Sequence, residues 1–534
     1  MEQIDRREGV FELIKTMSKA EKRNFKLYAA RYGNPADSKF IGLFDCLDSS
    51  EVYDEERILR RCPRLRKEQL PNMKAHLYRQ ILASLRLLES QHSPLLELSE
   101  TIDFSVMLLD RGMYGQAEKM LSKAWRMAEK AGRYTAMLEI ADLGKRIYLC
   151  QLSGNLDGRV AHACRIMETV GDRAAVDNEL SALAVELQDL YVRHGYIRSE
   201  GELSDFEARF LPRLEACSGR EMGFVERCSF FQAMGWYHYL RRDFAAAYRY
   251  CREWIDMFSE TPYMKAVMYD SLLDGYGKLF EGLFMMHEYG LLAATIEEFE
   301  KVQGSIVCLN TNADRISQYV LFSAQVNRCI IEGRFKDGLW LTRKVDGYIK
   351  RYGRSLGVYD KINFNYKIAL LYFGDGDYAR CVEHLDKIIA VRDREARRDL
   401  QCYARMLKLV ATYEAGTDCD MESQIRSSEI FIERVGEMSD MKKNFFAFFR
   451  ALADMSPDER KAEFRKLYKR LAPYENHPSE QPTFYYLGLL SWLKGKITGR
   501  SFGDMVREKF EASLIARRRA EADGSSGSPG DGGL

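Results

Sequence analysis

Two stretches of the chain, Gly353-Arg354-Ser355-Leu356-Gly357 and Gly499-Arg500-Ser501-Phe502-Gly503, spell G-x-S-x-G. That pattern activates a serine only where a strand turns sharply into a helix beside a sheet, with the hydroxyl standing over an oxyanion hole. Both copies fall between helical segments with no strand pattern nearby, so each reads as a helix-ending turn. Gly495-Lys496-Ile497-Thr498 has the tail of a phosphate-binding loop, but Leu490 stands where its first glycine belongs. The eight histidines are dispersed, and no H-E-x-x-H, close Cys/His set or dinucleotide fingerprint occurs. His238 and His384 read as structural residues on helices. Twelve cysteines are scattered, most in apolar helical contexts such as Cys150, Cys251 and Cys329, and read as reduced core thiols of a cytosolic protein. No catalytic residue, cofactor or metal is expected, and the chain reads as a binder rather than an enzyme.

Charge excludes further classes. The 534 residues carry 80 basic and 79 acidic side chains, a net +1, which gives no general attraction to nucleic acid or to an anionic membrane. Arg57, Arg60, Arg61, Arg64, Arg66 and Lys67 cluster beside Pro63. The first 92 residues hold 18 basic against 14 acidic groups, few for a protein that must neutralise many phosphates. The cluster therefore reads as a solvated helix end. The start, Met1 to Glu8, is charged and lacks a signal-peptide core, and the most apolar run, Leu279 to Ile296, is broken by Glu281, His287 and Glu288. The expected location is cytoplasmic, with no membrane partner.

The elements that would position any site announce themselves by repetition. Leu109-Asp110-Arg111-Gly112-Met113-Tyr114-Gly115-Gln116-Ala117 runs from an apolar helix through a glycine turn to an aromatic and then a small residue. Gly333-Arg334-Phe335-Lys336-Asp337-Gly338 and Gly376-Asp377-Tyr378-Ala379-Arg380-Cys381 repeat it, and Arg242-Asp243-Phe244-Ala245-Ala246-Ala247 keeps all but the glycine. Weaker turns fall at Leu156, Tyr196, Tyr289, Asp418, Pro457 and Phe502, giving a beat of about 43 residues, the mark of stacked helical hairpins. One hairpin cannot bury its apolar face alone, so neighbours must stack. Glycine frees the turn, the ring fills the corner, and Ala117, Ala247, Gly338 or Cys381 lets two helices close up.

Phe231, Met234, Gly235, Tyr239, Phe244 and Ala247, and again Ala369, Tyr372, Gly376, Tyr378, Cys381, Leu385 and Ile388, resemble the unit of the tetratricopeptide-repeat family. That family's unit has roughly 34 residues, so helices here are expected to be about a turn longer. The resemblance runs from about Ser99 to Phe510. It implies an all-α fold, a right-handed superhelical stack of antiparallel hairpins whose first helices line a concave face. The leading segment, with Lys19-Ala20-Glu21-Lys22-Arg23-Asn24-Phe25-Lys26, resembles uncharacterised bacterial tetratricopeptide-like proteins.

Four segments are expected: a helical N-terminal region over 1–95, repeats over 96–436, C-terminal repeats or a cap over 437–522, and a disordered Gly/Ser/Pro/Asp-rich tail over 523–534. Within the first, Ser18-Lys19-Ala20-Glu21 fits a capping box. Gly201 to Gly223 is expected to hold an enlarged loop or an extra turn near Pro212. Ser456-Pro457-Asp458-Glu459 starts a helix with a basic polar side that suits a terminal cap. Counting back from each turn by helical phase selects Tyr148, Gln188, Trp236, Glu281 and Asn327 for the inner wall, with Gln232, Tyr366, Tyr191 and Tyr239 flanking them. Rings and amides of this kind suit a peptide. The expected function is a protein- or peptide-binding scaffold. An alternative is a ligand-sensing regulator whose N-terminal helices contact nucleic acid, and a third is an enzyme with a site built across the repeats.

Overall fold

The computed structural model describes residues 9–31, 39–63, 65–89, 93–150, 156–197, 199–286, 288–307, 309–353, 356–394, 396–416, 421–452, 455, 457–475, 480, 483–484 and 487–525. Among them the chain is helical throughout, without a strand. The helices are α1 (Gly9–Thr16), α2 (Lys19–Ala30), α3 (Lys39–Ser49), α4 (Glu55–Arg61), α5 (Leu70–Glu89), α6 (Pro94–Leu109), α7 (Tyr114–Lys130), α8 (Tyr134–Cys150) and α9 (Leu156–His194). After these come α10 (Glu200–Ser218), α11 (Phe224–Leu240), α12 (Phe244–Glu260), the short α13 (Pro262–Val267), α14 (Tyr269–Met285), α15 (Tyr289–Ile306), α16 (Thr311–Ile331) and α17 (Phe335–Tyr352). The remainder are α18 (Val358–Asp375), α19 (Tyr378–Ile389), α20 (Arg398–Ala415), α21 (Met421–Arg434), α22 (Asp440–Leu452), α23 (Pro457–Leu471), α24 (Leu489–Thr498) and α25 (Phe502–Ser525).

Sequential helices pack as neighbours, and the recurring corner has one geometry. Gly112, Gly333 and Gly376 take φ of 70°, 66° and 87°. The amide beyond each reaches back over six residues: Met113 N–H to Leu108 O (3.0 Å), Arg334 N–H to Cys329 O (2.9 Å), Asp377 N–H to Tyr372 O (3.0 Å). This is the Schellman ending of a helix, which satisfies carbonyls that the last turn would otherwise orphan. Arg242 adopts the same left-handed conformation, φ 63°, without glycine. Its guanidinium lies 5.0 Å from the Tyr196 ring centre, a contact that offsets part of the strain. Tyr114, Phe244, Tyr289, Phe335, Tyr378 and Phe502 each open a helix. The small residues behind the corners are buried: Ala117 0%, Ala247 2%, Cys381 0%.

Contacts divide the chain into two units, residues 1–175 with 261–269 and 306–313, and residues 176–260 with 270–305 and 314–534. In the first, Ser18 caps α2 through the expected box: its hydroxyl accepts from Glu21 N–H and the Glu21 carboxylate accepts from Ser18 N–H. Phe11, Phe25, Phe44, Leu70 and Ile81 form the core of the N-terminal helices. In the second, Tyr413, Phe449 and Phe464 surround Trp492, whose indole donates to Glu414 at 2.6 Å. There α25 returns to earlier corners. Phe502 lies 5.7 Å from Phe335 and 5.0 Å from Phe373, and Phe510 lies 5.3 Å from Tyr289. A linear array, in which each hairpin touches only its neighbours, does not make such contacts.

Three expectations need correction. Residues 200–218 form the continuous helix α10 with Pro212 inside it, not an enlarged loop. Phe206, Phe210, Leu214 and Cys217 bury one stripe, and that burial outweighs the hydrogen bond that proline forfeits. The stretch from Leu156 to His194 is one helix of 39 residues, with no turn between the beats at Leu156 and Tyr196. Helix-favouring Ala174-Ala175 and the absence of proline let it run on. Cys150, at the end of α8, is exposed, whereas Cys251 and Cys329 are buried. The capping serine Ser456, the turn at Asp418, Arg354 and Ser355 of the serine motif at 353–357, Arg64, His287, the leading residues 1–8 and the tail beyond residue 525 lie outside the described residues.

Candidate functional site

Five helices of the second unit turn charged and aromatic side chains toward one another. Helix α14 supplies Asp274, Lys278 and Glu281, spaced four and three apart and hence on one face, inside a segment whose other residues are nearly all apolar. The Lys278 ammonium lies 3.8 Å from the Trp236 ring centre, 5.4 Å from Tyr239 and 5.7 Å from Tyr191. Those three rings, from α9 and α11, pack with centroids 5.3–5.9 Å apart. The same ammonium bonds the Glu281 carboxylate at 2.9 Å. Gln232 donates to Asp274 at 3.1 Å.

Helices α18 and α20 supply the opposing wall. Arg397 precedes α20 in a left-handed conformation, φ 48° and ψ 54°. Its guanidinium grips Asp399 with two bonds of 2.9 and 2.8 Å and reaches the Tyr359 hydroxyl at 3.4 Å. Strain of this kind costs about 1–3 kcal/mol and persists where surroundings over-determine it; the forked ion pair and the Tyr359 ring 5.1 Å away do so here. Tyr359, Asn363 and Lys367 share one face of α18 at four-residue spacing, and Asn363 donates to the Tyr319 hydroxyl on α16 at 2.9 Å.

Electrostatics knit the walls together. Burial works against the Glu281 carboxylate, but Lys278, Arg397 and Lys367 hold its pKa below the ordinary value. Its side chain nevertheless keeps 38% of its surface open to solvent, so water reaches a carboxylate that protein surrounds. Burial likewise opposes the Lys278 ammonium, while Glu281 and Asp274 carry its pKa above normal. Desolvation raises Asp274, against Lys278 and Gln232. Lys367 fares differently: burial and the nearby Arg397 depress it to about 8, against the pull of Glu281. No ion pair or hydrogen bond of the Lys367 ammonium occurs among the described residues. Two other polar atoms of these walls lack partners there, the buried Trp236 Nε1 and Gln401 Oε1. The Gln401 amide nitrogen, by contrast, donates to Asp393 O and Ala396 O, both at 2.8 Å.

Of the residues selected by helical phase, Tyr191, Gln232, Trp236, Tyr239 and Glu281 come together in this cluster. The three rings are buried, at 7%, 2% and 3% exposure, so they form its floor rather than a free surface. Tyr366 sits in the apolar core at 1% exposure; one residue on, the rotation of about 100° per residue brings Lys367 to the open face. Gln188 is exposed on α9 and Asn327 half-buried on α16, and among the described residues neither has a hydrogen bond or ion pair to the cluster's charges. Tyr148 belongs to the first unit, where it lines a cavity of about 400 Å³ with Trp125, Leu121 and Ile147. Phase counting missed Asp274, Lys278, Tyr359, Lys367, Arg397 and Gln401. The signal available was the charged stripe in apolar α14.

The motifs set aside in the sequence have structural work. Ser501 caps α25, its hydroxyl accepting from Asp504 N–H at 3.0 Å and donating to the Asp504 carboxylate at 2.7 Å. His238 Nδ1 lies 3.2 Å from Asp243 with its ring stacked on Tyr250, and His384 Nδ1 lies 3.0 Å from Asn365 Oδ1. Among the described residues no three His, Cys, Asp or Glu side chains are placed to hold a metal ion, and no helix is long and apolar enough to cross a membrane. Comparison with protein-family models, with curated proteins and with solved structures finds no match to this chain.

Proposed function

We propose that the protein is a cytoplasmic, non-enzymatic helical-repeat scaffold of the tetratricopeptide-like kind, and that it binds a protein or peptide segment along the inner faces of α9, α11, α14, α18 and α20. The observation that carries this reading is Lys367, a cation of these walls with no ion pair or hydrogen bond among the described residues. An unpaired charge in such a place destabilises the fold, so its retention fits a role in meeting something from outside. The Glu281 carboxylate, whose side chain keeps 38% of its surface open to solvent, adds an acceptor for a backbone N–H. A chain segment satisfies both; the near-neutral overall charge favours such a partner over nucleic acid.

Trp236→Ala is a poor test, because the buried indole is part of the floor and its loss would disturb folding. Lys367→Gln and Glu281→Gln alter the open groups instead. Affinity purification from the native cell with the full chain should recover a partner that both variants lose by tenfold or more, with helical circular dichroism unchanged. A partner held equally by both variants and the parent chain would reject this surface.

A further inference from the structure

The N-terminal helices hold a pair of thiols that the proposed binding surface does not use. Cys46 lies on the last turns of α3, 7% exposed. Cys62 follows α4 directly and is half-exposed. The Cys62 thiol donates to Gly42 O at 3.6 Å. Gly42 is one turn before Cys46 on α3, and a helical side chain leans over the turn N-terminal to its own Cα. Both sulfurs therefore occupy the same stretch of the α3 surface, where the neighbouring Cys46 helps to raise the Cys62 thiol. Arg61, next to Cys62, is tied to the same helix through Ser49 Oγ at 3.3 Å, which fixes the approach of the α4 end.

We propose that Cys46 and Cys62 are a modification site: a dithiol that a peroxide converts to a reversible intrachain disulfide joining α3 to the end of α4. The Cys62 sulfur, reached by solvent, attacks one peroxide oxygen; the O–O bond breaks, Cys62 becomes a sulfenic acid and water leaves. The Cys46 sulfur then displaces the sulfenic oxygen as a second water, its proton included. Two thiols are oxidised by two electrons and one peroxide is reduced. Burial and the neighbouring Cys46 hold the Cys62 thiol up to about 11, so the thiolate is scarce at neutral pH and oxidation is slow. The bond would pin the exposed run Arg57, Arg60, Arg61, Arg66 and Lys67 that flanks Cys62.

The test treats the full chain with hydrogen peroxide, blocks free thiols, digests with trypsin without reductant and reads the peptides by mass spectrometry. The expected product joins the peptide 40–57, which holds Cys46, to the peptide 62–64, which holds Cys62. It is lighter than their sum by two hydrogens and is released by dithiothreitol. In Cys46→Ser, a dimedone adduct should accumulate on Cys62 instead. The exposed Cys150 and Cys164 report whether oxidant acted. If they are oxidised while Cys46 and Cys62 emerge as separate thiols, or if Cys62 passes to sulfinic acid without linking, the proposal is wrong.

Discussion

Lys367→Met should make the folded protein more stable at neutral pH, although it removes a charge and adds no contact. The ammonium has an ordinary pKa of 10.5 and one of about 8 in place. At pH 7 the lysine is protonated both folded and unfolded, so folding bears the whole cost of keeping that charge in the cluster. An interval of this size corresponds to roughly 3 kcal/mol at ~1.4 kcal/mol per pH unit. Solvent reaches the half-buried side chain, so about 1–2 kcal/mol is the expected gain for Met. The sign with pH follows from linkage. Between about 8 and 10.5 the unfolded chain binds more protons than the folded one, so parent stability rises with pH across that window and the advantage of Met fades. Urea unfolding of both proteins at pH 7.0 and pH 9.5, followed by helical circular dichroism, measures it. A Met variant less stable at pH 7.0, or one whose advantage is as large at pH 9.5, would show that Lys367 has a partner after all.

Other outcomes follow from the same structure. Lys278→Met should cost about 1–2 kcal/mol at pH 7, between the values of surface and buried pairs. Because Lys278 helps to hold Glu281 below its ordinary pKa, that deficit should shrink as the pH falls toward 4; a deficit constant from pH 7 to 4 would refute the pairing. His384 is held down to about 4, first by burial and then by Lys387, so it gives stability that is lost as pH falls from about 6.5 to 4, and His384→Gln should flatten the unfolding curve in that window only. A methyl group on Gly374 would stand 2.2–2.4 Å from the Phe335 ring, whereas one on Gly376 meets open space at φ 87°. Gly374→Ala should therefore cost more than Gly376→Ala, for which backbone strain of about 1–2 kcal/mol is the main term; paired urea titrations giving the opposite order would contradict the corner geometry.

The corners were legible in the sequence because glycine, ring and small residue each have a local cause. Tyr114, Phe244, Phe335 and Tyr378 open helices where the punctuation put them. The turn expected between Leu156 and Tyr196 was not legible as a helix, since nothing local distinguishes a weak beat from none. Pro212 misled in the opposite sense: a strong local signal lost to the apolar stripe through Phe206 and Phe210. At the candidate site, phase counting reached the rings and Glu281 but slipped by one residue at Tyr366, and such a slip exchanges core for solvent. Arg397 was out of reach, because its place depends on a strained backbone and on Tyr359, 38 residues away.

The return of α25 to the corners at Tyr289 and Phe335 bears on how the second unit is made. A strictly sequential array can zip up behind the ribosome, each hairpin settling on the one before. Here the Phe335 and Phe373 rings wait for Phe502, so hairpins translated much earlier keep an apolar strip bare until α25 emerges. Nascent chains of that kind are the ones that chaperones hold. Truncation just before α24 should therefore yield protein that aggregates as it is synthesised, rather than a shorter but sound stack.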